Sequence, residues 1–271
     1  MTGCGGKSVS TPAKPTATCD WNSALLSSGT SYEVKSTETS TDTLTDGGQI
    51  AIASTNTFDY KVNGMKTVGS VNTTDVQQTT TISEVATNPD GTTLQINGTN
   101  VQDNYEVLSS NNLLTYGFSE TNTVTSPFVA TPSVQMIQST ISPALSIPAK
   151  PTLNLAYSPQ TFVSTDLASL NGGKPTTNVN KDTITRTFSL ESVTVPAGTF
   201  LACKEVDSTD SANTTFGSTT HTDTTQWTVS NGFCQGLPLK RIQSHSTDGG
   251  PPTASTEAME SLSLNGQNCT E

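Results

Sequence analysis

Apolar and polar positions alternate along much of the chain, and the clearest example lies between residues 50 and 62. Ile50, Ile52, Phe58, Tyr60 and Val62 fall on even positions, whereas the odd positions among them are small or polar. Because successive side chains of a strand point to opposite faces, this period of two predicts a long strand with one buried face.

A second pattern marks a β-hairpin between Glu191 and Val206. β-Branched runs flank Pro196-Ala197-Gly198, where proline fixes one φ angle and glycine readily takes a positive one. The apolar residues lie on even positions up to Leu190 but on odd positions at Val193 and Val195. A one-residue slip moves the apolar set to the other face, so we expect a β-bulge near Glu191–Ser192.

Turn-forming residues punctuate the sequence at short intervals. They occur at Asp46-Gly47-Gly48, Asn63-Gly64, Asn88–Gly91, Asn97-Gly98, Asn171–Gly173, Asn231-Gly232 and Asp248–Gly250. This spacing favours a meander of antiparallel strands over alternating strands and helices. We therefore expect an all-β fold built on a curved antiparallel sheet, either a half-barrel or a sandwich of hairpins, with one or two short helices.

Two segments carry the signals of those helices. Asp20–Gly29 begins with a capping residue and ends with a glycine, and Val134–Thr140 is the second candidate. The second candidate lies in a proline-rich stretch, residues 127–159, that we interpret as a crossover ending in a strand at Leu153–Tyr157. This stretch is the expected boundary between two halves of the fold.

A faint internal repeat is consistent with two halves. Glu84–Leu94 aligns without gaps on Glu191–Leu201, with Glu, Thr, Pro, Gly, Thr and Leu identical. Duplication explains the match, and so does independent use of the same turn chemistry in a threonine-rich chain.

Composition and charge exclude several classes of function. Of the 271 residues, 31% are hydrophobic and 13% charged, and roughly three in ten are Ser or Thr, which suits a sheet with hydroxyl-rich wet faces. Disorder in the Thr-rich tracts is the alternative. The net charge of −11 argues against nucleic acid and against direct docking on anionic lipid. No run approaches the roughly 18 apolar residues of a membrane-spanning helix.

The first residues resemble the processing site of bacterial lipoproteins. Thr2-Gly3-Cys4 is followed by a polar, glycine-containing stretch, and in such proteins the cysteine becomes the lipidated first residue. We expect a lipid on Cys4, an anchor and flexible tether over residues 1–18, and a β-rich domain over residues 19–271. A free cysteine in a frayed terminus is the alternative.

The other cysteines predict a disulfide framework. Lipidation of Cys4 would leave Cys19, Cys203, Cys234 and Cys269, and four cysteines allow three pairings. We expect Cys203–Cys234, which lie on or beside consecutive strands, and Cys19–Cys269, which lie near the two ends of the domain. Such bridges indicate an oxidising compartment. A zinc site competes poorly, because the cysteines are far apart in sequence and histidine is scarce.

The second hairpin also carries a family resemblance. The Val195–Phe200 turn, Trp227 and Gly236–Arg241 form a pattern that resembles uncharacterised β-rich bacterial envelope lipoproteins. Some of these are similar to the half-barrel fold of the lipoprotein-carrier class, whose sheet encloses an apolar concavity. The resemblance covers about residues 184–246 and the N-terminal cysteine. Cys203 and Cys234 are not part of that pattern, and a disulfide between them would argue against an open, flexible cavity.

Few residues point to catalysis or metal binding. His221 and Asp223 could share one strand face, Asp207 and Asp210 could hold a cation, and Asp42–Gly47 resembles the start of a calcium loop. A solvated strand face, a polar loop and a turn are the respective simpler interpretations. Glu84 and Glu191 match in the repeat, but no pattern brings them together. We assign no catalytic residue, metal ligand or cofactor.

The aromatic residues allow a further interpretation. A stacking platform for sugars could be built from Trp21, Tyr32, Tyr60, Tyr105, Tyr116, Tyr157 and Trp227. With aromatics at 6% of the chain, the core needs most of them.

The sequence thus predicts a lipid-anchored, non-enzymatic protein of the bacterial cell envelope, at the periplasmic face of the outer membrane or at the cell surface. It would present a binding surface or concavity to an apolar or lipid-like ligand, or to an envelope protein. The alternative is a surface-exposed interaction or adhesion module that binds protein or glycan.

Overall fold

The computed structural model describes residues 17–43, 49–125 and 131–269, which form one closed antiparallel barrel. Its strands are β1 (Ser31–Thr43), β2 (Gln49–Val68), β3 (Val71–Thr87), β4 (Thr93–Leu108), β5 (Asn112–Thr125), β6 (Ser133–Pro148), β7 (Gln160–Leu170), β8 (Thr176–Val195), β9 (Gly198–Asn213), β10 (Thr219–Val229), β11 (Pro238–Thr247), β12 (Thr253–Leu264) and β13 (Gln267–Asn268). In these ranges, no helix has the length and apolar character needed to cross a membrane.

Each strand pairs with the next, and β1 also pairs with β12, which closes a ring of twelve strands. The short β13 adds to the end of β12. The all-β prediction is confirmed, but the expected half-barrel or sandwich is wrong because the first and last long strands meet. Closure removes the exposed edges that an open sheet would leave unpaired.

Because neighbouring strands run in opposite directions, the barrel has two distinct ends. We call the end where β1 begins and β12 finishes the disulfide end, and the opposite end, with the β3–β4 turn, the distal end. Cys19 is bonded to Cys203, and Cys234 to Cys269, and all four lie at the disulfide end. The disulfides are present, but the predicted pairing is wrong.

The pairing differs because the β10–β11 loop carries Cys234 past the end of the wall. There it lies beside Cys269, which follows β13, and the two are bonded. Cys203 lies within β9 instead and is met by the N-terminal segment. Proximity in sequence therefore did not indicate which cysteines meet.

The segment before β1 is fixed against the disulfide end. The Thr18 N–H donates to the Ser230 carbonyl at 3.3 Å, and the Trp21 N–H donates to the Ala149 carbonyl at 2.7 Å. The helix predicted over Asp20–Gly29 is a single 3₁₀ turn, Ser23–Leu26, capped by Asn22 rather than Asp20. The second predicted helix is wrong, since Val134–Thr140 forms part of β6.

Apolar side chains fill the disulfide end. The core cluster, as we call it, combines the N-terminal segment, the wall and the tip of the β8–β9 hairpin. Its buried members are Leu25, Val34, Val195, Phe200, Ala202, Trp227, Val229, Cys234, Leu237, Leu239, Met259, Leu262, Leu264 and Cys269. Each large apolar side chain buried in this way stabilises the fold by about 1.5–3 kcal/mol.

The predicted β8–β9 hairpin forms, but its bulge does not. The two strands pair in one unbroken register, so the expected bulge near Glu191–Ser192 is wrong. The buried positions change from even to odd along β8 because the two ends of the hairpin bury opposite faces. Phe188 is buried on the face that points into the barrel, whereas Val195 and Phe200, at the tip, are buried in the core cluster on the opposite face. Register shifts occur instead between β1 and β12, β2 and β3, β4 and β5, β5 and β6, and β10 and β11.

The stretch expected to divide two halves is part of the continuous wall. Within its described residues, β6 joins β5 to β7, and the strand predicted at Leu153–Tyr157 is a loop with one bridge, Ala156 to Thr187. The repeated segments Glu84–Leu94 and Glu191–Leu201 both form hairpin ends. Since β3 and β8 run in opposite directions, these hairpins lie at opposite ends of the barrel. Two halves repeated in one orientation would place them at the same end.

Candidate functional site

Strand register identifies the side chains that share the inner face of the barrel. In β1 to β4 these are even-numbered residues, because Ser36 lies opposite Asn56 and the same alternation continues into β3 and β4. Burial, and then the charges of Tyr60 and Glu106, raise the pKa of Tyr32 well above its ordinary value. Tyr32 is on β1 and Glu106 on β4, which are not neighbours, so the two interact across the interior.

A belt of polar side chains lines the middle of this inner face. Gln78 on β3 lies directly opposite Gln102 on β4. The Asn100 amide donates to Oδ1 of Asn122 at 2.5 Å and to Oε1 of Glu120 at 2.6 Å. The barrel is therefore apolar at its disulfide end and hydrogen-bonding in its middle.

A cavity of about 240 Å³ lies within this belt. Its lining residues are Glu38, Ser54, Asn56, Phe58, Gln78, Thr80, Ile82, Glu84, Asn100, Gln102 and Arg241. All but Arg241 belong to β1–β4. We call this space the lumen cavity, and it is smaller than the roughly 300–1,000 Å³ typical of drug-sized ligands. Its amides, hydroxyls and carboxylates do not fit the apolar ligand that the sequence predicted.

Carboxylates outnumber basic groups on the described inner face. The acidic residues are Glu38, Glu84, Glu106, Glu120, Asp166, Asp182, Glu205, Asp207 and Glu257, and the basic residues are Arg186 and Arg241. When the charged side chains that line a cleft mostly have the same sign, they concentrate the electric field inside it. The interior therefore has a negative potential.

One row of this face crosses the lumen cavity. Strand pairing places Glu38 opposite both Glu257 on β12 and Ser54 on β2, and places Ser54 opposite Glu84 on β3. Glu257 is buried and its charge is matched, because Ser36 donates to its Oε1 at 2.5 Å and Arg241 Nη2 lies 3.3 Å from its Oε2. Glu38 forms no hydrogen bond or ion pair with the described residues.

Two amide oxygens of the cavity wall are buried without a hydrogen-bond partner among the described residues. They are Oδ1 of Asn56, whose side chain is 5% exposed, and Oδ1 of Asn100. Leaving such an acceptor unsatisfied costs about 1–3 kcal/mol. Because these oxygens are closed off from solvent, a ligand that brings a donor would recover part of that cost once the amide turns toward the cavity.

A second charged cluster lies further around the interior. The Arg186 Nε is 2.7 Å from Oε1 of Glu205 and 2.9 Å from Oδ1 of Asp207, and its Nη1 donates to the Ser146 carbonyl at 3.1 Å. Burial, reinforced by Asp207 and opposed by Arg186, raises the pKa of Glu205 to about 7. One guanidinium thus stabilises two carboxyl groups, of which one is half protonated near neutral pH.

Burial also raises the pKa of Glu106, from 4.5 to about 7. The folded state then holds this proton more tightly than the unfolded chain, so stability falls as pH rises between those values. We expect the free energy of unfolding at pH 5 to exceed that at pH 7.5 by about 2 kcal/mol through Glu106, with a further contribution of the same sign from Glu205.

Urea unfolding at the two pH values, with Glu106→Gln beside Glu33→Gln, checks this expectation. Glu33 is the control because its side chain is 45% exposed beside Lys35. Loss of about 2 kcal/mol of the pH dependence in Glu106→Gln alone supports the assignment. An unchanged dependence in that variant contradicts it.

The residues singled out in the sequence for metal or acid–base chemistry do not build a site. His221 lies on the exposed outer surface between Asp210, 2.7 Å from Nδ1, and Asp223, 3.2 Å from Nε2, and these bonds raise the pKa of His221. Asp207 faces inward to Arg186, so Asp207 and Asp210 lie on opposite faces. In the three described ranges, no three His, Cys, Asp or Glu side chains are placed to hold a metal ion.

The other candidates are dispersed. Glu191 accepts a bond from the Trp227 indole on the outer face, at 2.5 Å, whereas Glu84 lines the lumen cavity. Tyr32 and Tyr60 stack inside the barrel at 4.1 Å between ring centroids, and Trp227 and Tyr105 are buried, so these aromatics form no exposed platform. Cys4 lies outside the described residues, as does most of the suggested calcium loop.

The sequence did contain a signal for the lumen cavity. In the strand predicted from residues 50–62, Ser54 and Asn56 occupy the same parity as Ile52, Phe58 and Tyr60. Polar residues on a buried parity mark either a hydrogen-bonded interior or a site. The missed residues, Asn56, Gln78, Asn100, Gln102 and Glu38, come together through the register of the consecutive strands β1–β4, which the sequence pattern did not provide.

No family model matches the chain, and no curated protein matches it. Among solved structures, a candidate lipoprotein from Parabacteroides distasonis aligns with a TM-score of 0.39 and 13% identity, over 92% of this chain and 100% of that chain. A candidate exported protein with a YmcC-like fold from Bacteroides fragilis gives 0.36 and 12%, over 92% and 100%. Scores this low assign the chain neither a family nor a function.

Proposed function

We propose that the protein is a non-enzymatic envelope protein, anchored by a lipid on Cys4, whose barrel binds a small carbohydrate in the lumen cavity. The anchor is supported by the Thr2-Gly3-Cys4 sequence. The carbohydrate is supported by the chemistry of the cavity wall.

The observation that carries this proposal is the buried Oδ1 of Asn56, which has no partner among the described residues and lies in a wall of hydrogen-bonding groups. Amide side chains both donate and accept, and carboxylates accept, so together they match the many hydroxyl groups of a sugar. Phe58 and Ile82 supply apolar surface for the C–H face of a pyranose ring. A lipid tail would leave this wall without partners.

Asn56→Ala tests the proposal against Asn97→Ala, which changes an exposed residue on the outer face of β4. Binding to an array of mono- and disaccharides identifies the ligand, and titration calorimetry then measures its affinity. We expect Asn56→Ala to weaken binding by about 10-fold or more, the effect of losing one buried hydrogen bond, and Asn97→Ala to leave it unchanged.

Two results would overturn the proposal. One is the absence of binding to any carbohydrate, and the other is an affinity that Asn56→Ala does not alter. Hydrolysis of the bound sugar by the intact protein would overturn its non-enzymatic part.

A further inference from the structure

The lumen cavity also contains a carboxylate, that of Glu38, which has no direct counter-ion among the described residues. Glu38 lines the cavity and has no ion pair or hydrogen bond with the described residues. Its neighbour in the row, Glu257, takes up the nearby guanidinium, since Arg241 Nη2 is 3.3 Å from Glu257 Oε2. The carboxylate of Glu84 lies in the same row, with Ser54 between it and Glu38.

The uncharged groups around Glu38 also suit a cation. Asn56 is the next inward residue of β2 after Ser54, and its buried Oδ1 is an acceptor without a partner among the described residues. An ammonium group offers three donors and no acceptor. The Phe58 ring lines the same cavity, and the face of an aromatic ring attracts a cation.

An anionic ligand fits this wall poorly. Arg241 is the basic residue of the lining, and Glu257 lies 3.3 Å from its Nη2. The buried Arg241 Nε has no hydrogen-bond partner among the described residues and would donate to a neutral acceptor such as a sugar hydroxyl. A neutral sugar would bond to Asn56 but would leave Glu38 without a counter-ion, in a cavity whose lining has more carboxylates than basic groups. A positively charged donor group would bind both the Asn56 oxygen and the Glu38 carboxylate.

We propose that the lumen cavity selects an amino sugar, with its protonated amine bound between Glu38 and Asn56. This inference rests on the proposed carbohydrate-binding function and narrows it to a ligand class. Charge-assisted hydrogen bonds to carboxylates are stronger than neutral ones, so the amine dominates the selectivity.

Matched sugars test the inference on the intact folded protein. The probes are glucosamine with glucose, galactosamine with galactose, and mannosamine with mannose, titrated by NMR at pH 7. In at least one pair we expect the amino sugar to bind at least 10-fold more tightly. Raising the salt concentration from 50 to 500 mM should weaken binding of the amino sugar more than binding of its neutral partner, because added ions screen the carboxylates.

Glu38→Gln supplies the decisive comparison. It should reduce the preference for the amino sugar over its neutral partner to within about threefold, since loss of one charge-assisted bond accounts for that change. Glu33→Gln, on the exposed outer face of β1, should preserve the preference.

The two proposals fail in different ways. Equal binding of amino and neutral sugars, or a preference that survives in Glu38→Gln, overturns the amine inference and leaves carbohydrate binding intact. Failure of every sugar to bind overturns the proposed function itself, and the amine inference with it.

Discussion

Replacing Arg186 by methionine is expected to destabilise the barrel by about 3–5 kcal/mol at pH 7.5. The guanidinium is buried and contacts Glu205 and Asp207 at 2.7 and 2.9 Å. Methionine keeps most of the volume but leaves two inward-facing carboxyl groups without a counter-charge. The loss is expected to be smaller at pH 5, because Glu205, with a pKa of about 7, then carries a proton.

Urea unfolding followed by far-ultraviolet circular dichroism measures this effect. Lys35→Met is the matched control, since it breaks an ion pair with Glu33 whose side chains are 52% and 45% exposed. Exposed pairs contribute only about 0–1 kcal/mol. Equal losses in the two variants, or a greater loss for Arg186→Met at pH 5 than at pH 7.5, would contradict the assigned role of Arg186.

Removing the disulfides should have a comparably large effect, with a defined order. The Cys19–Cys203 bridge spans 184 residues and the Cys234–Cys269 bridge 35 residues. On the loop-entropy account, replacing the first pair by serine costs about 5 kcal/mol and the second about 4 kcal/mol. The first bridge also ties the N-terminal segment to β9, so its loss should expose Trp21 to solvent.

The paired serine variants, exported to an oxidising compartment, test this order by their free energies of unfolding. Peptide mapping of the unreduced wild-type protein checks the pairing itself. Recovery of Cys203 joined to Cys234 would contradict the structure. Equal stability of wild type and both variants would show that neither bridge constrains the unfolded chain.

The strands could be predicted from sequence because their pattern is local. The even-numbered apolar residues from Ile50 to Val62 fall within β2, and the Pro196–Gly198 turn joins β8 to β9. These features depend on side-chain alternation and turn chemistry, which a short window contains. The first predicted helix was reduced to one turn because packing at the disulfide end fixes the segment from Thr18 to Leu26.

Closure of the barrel could not be predicted from such windows. It depends on β1 meeting β12, whose partners, such as Tyr32 and Leu264, lie far apart in the chain. The half-barrel expectation failed for this reason, and the disulfide pairing failed because the N-terminal segment reaches Cys203 and the β10–β11 loop brings Cys234 to Cys269. Glu38, Asn56 and Glu257 are unremarkable polar residues until the ring brings them onto one inner face.

The apolar parity change near Glu191 shows the same limit. A local slip in register and a hairpin tip that packs on its other face produce the same sequence pattern. Only the core cluster, built from several distant strands, distinguishes them.

Native mass spectrometry of the exported Cys4→Ser protein, purified without detergent and titrated with the amino sugars, tests the central claim most directly. We expect one sugar per protein, removed by denaturation and bound about 10-fold or more weakly by Asn56→Ala. A stoichiometric lipid adduct, or a sugar-free mass with both the amino sugars and their neutral partners, would contradict a carbohydrate site in the lumen cavity.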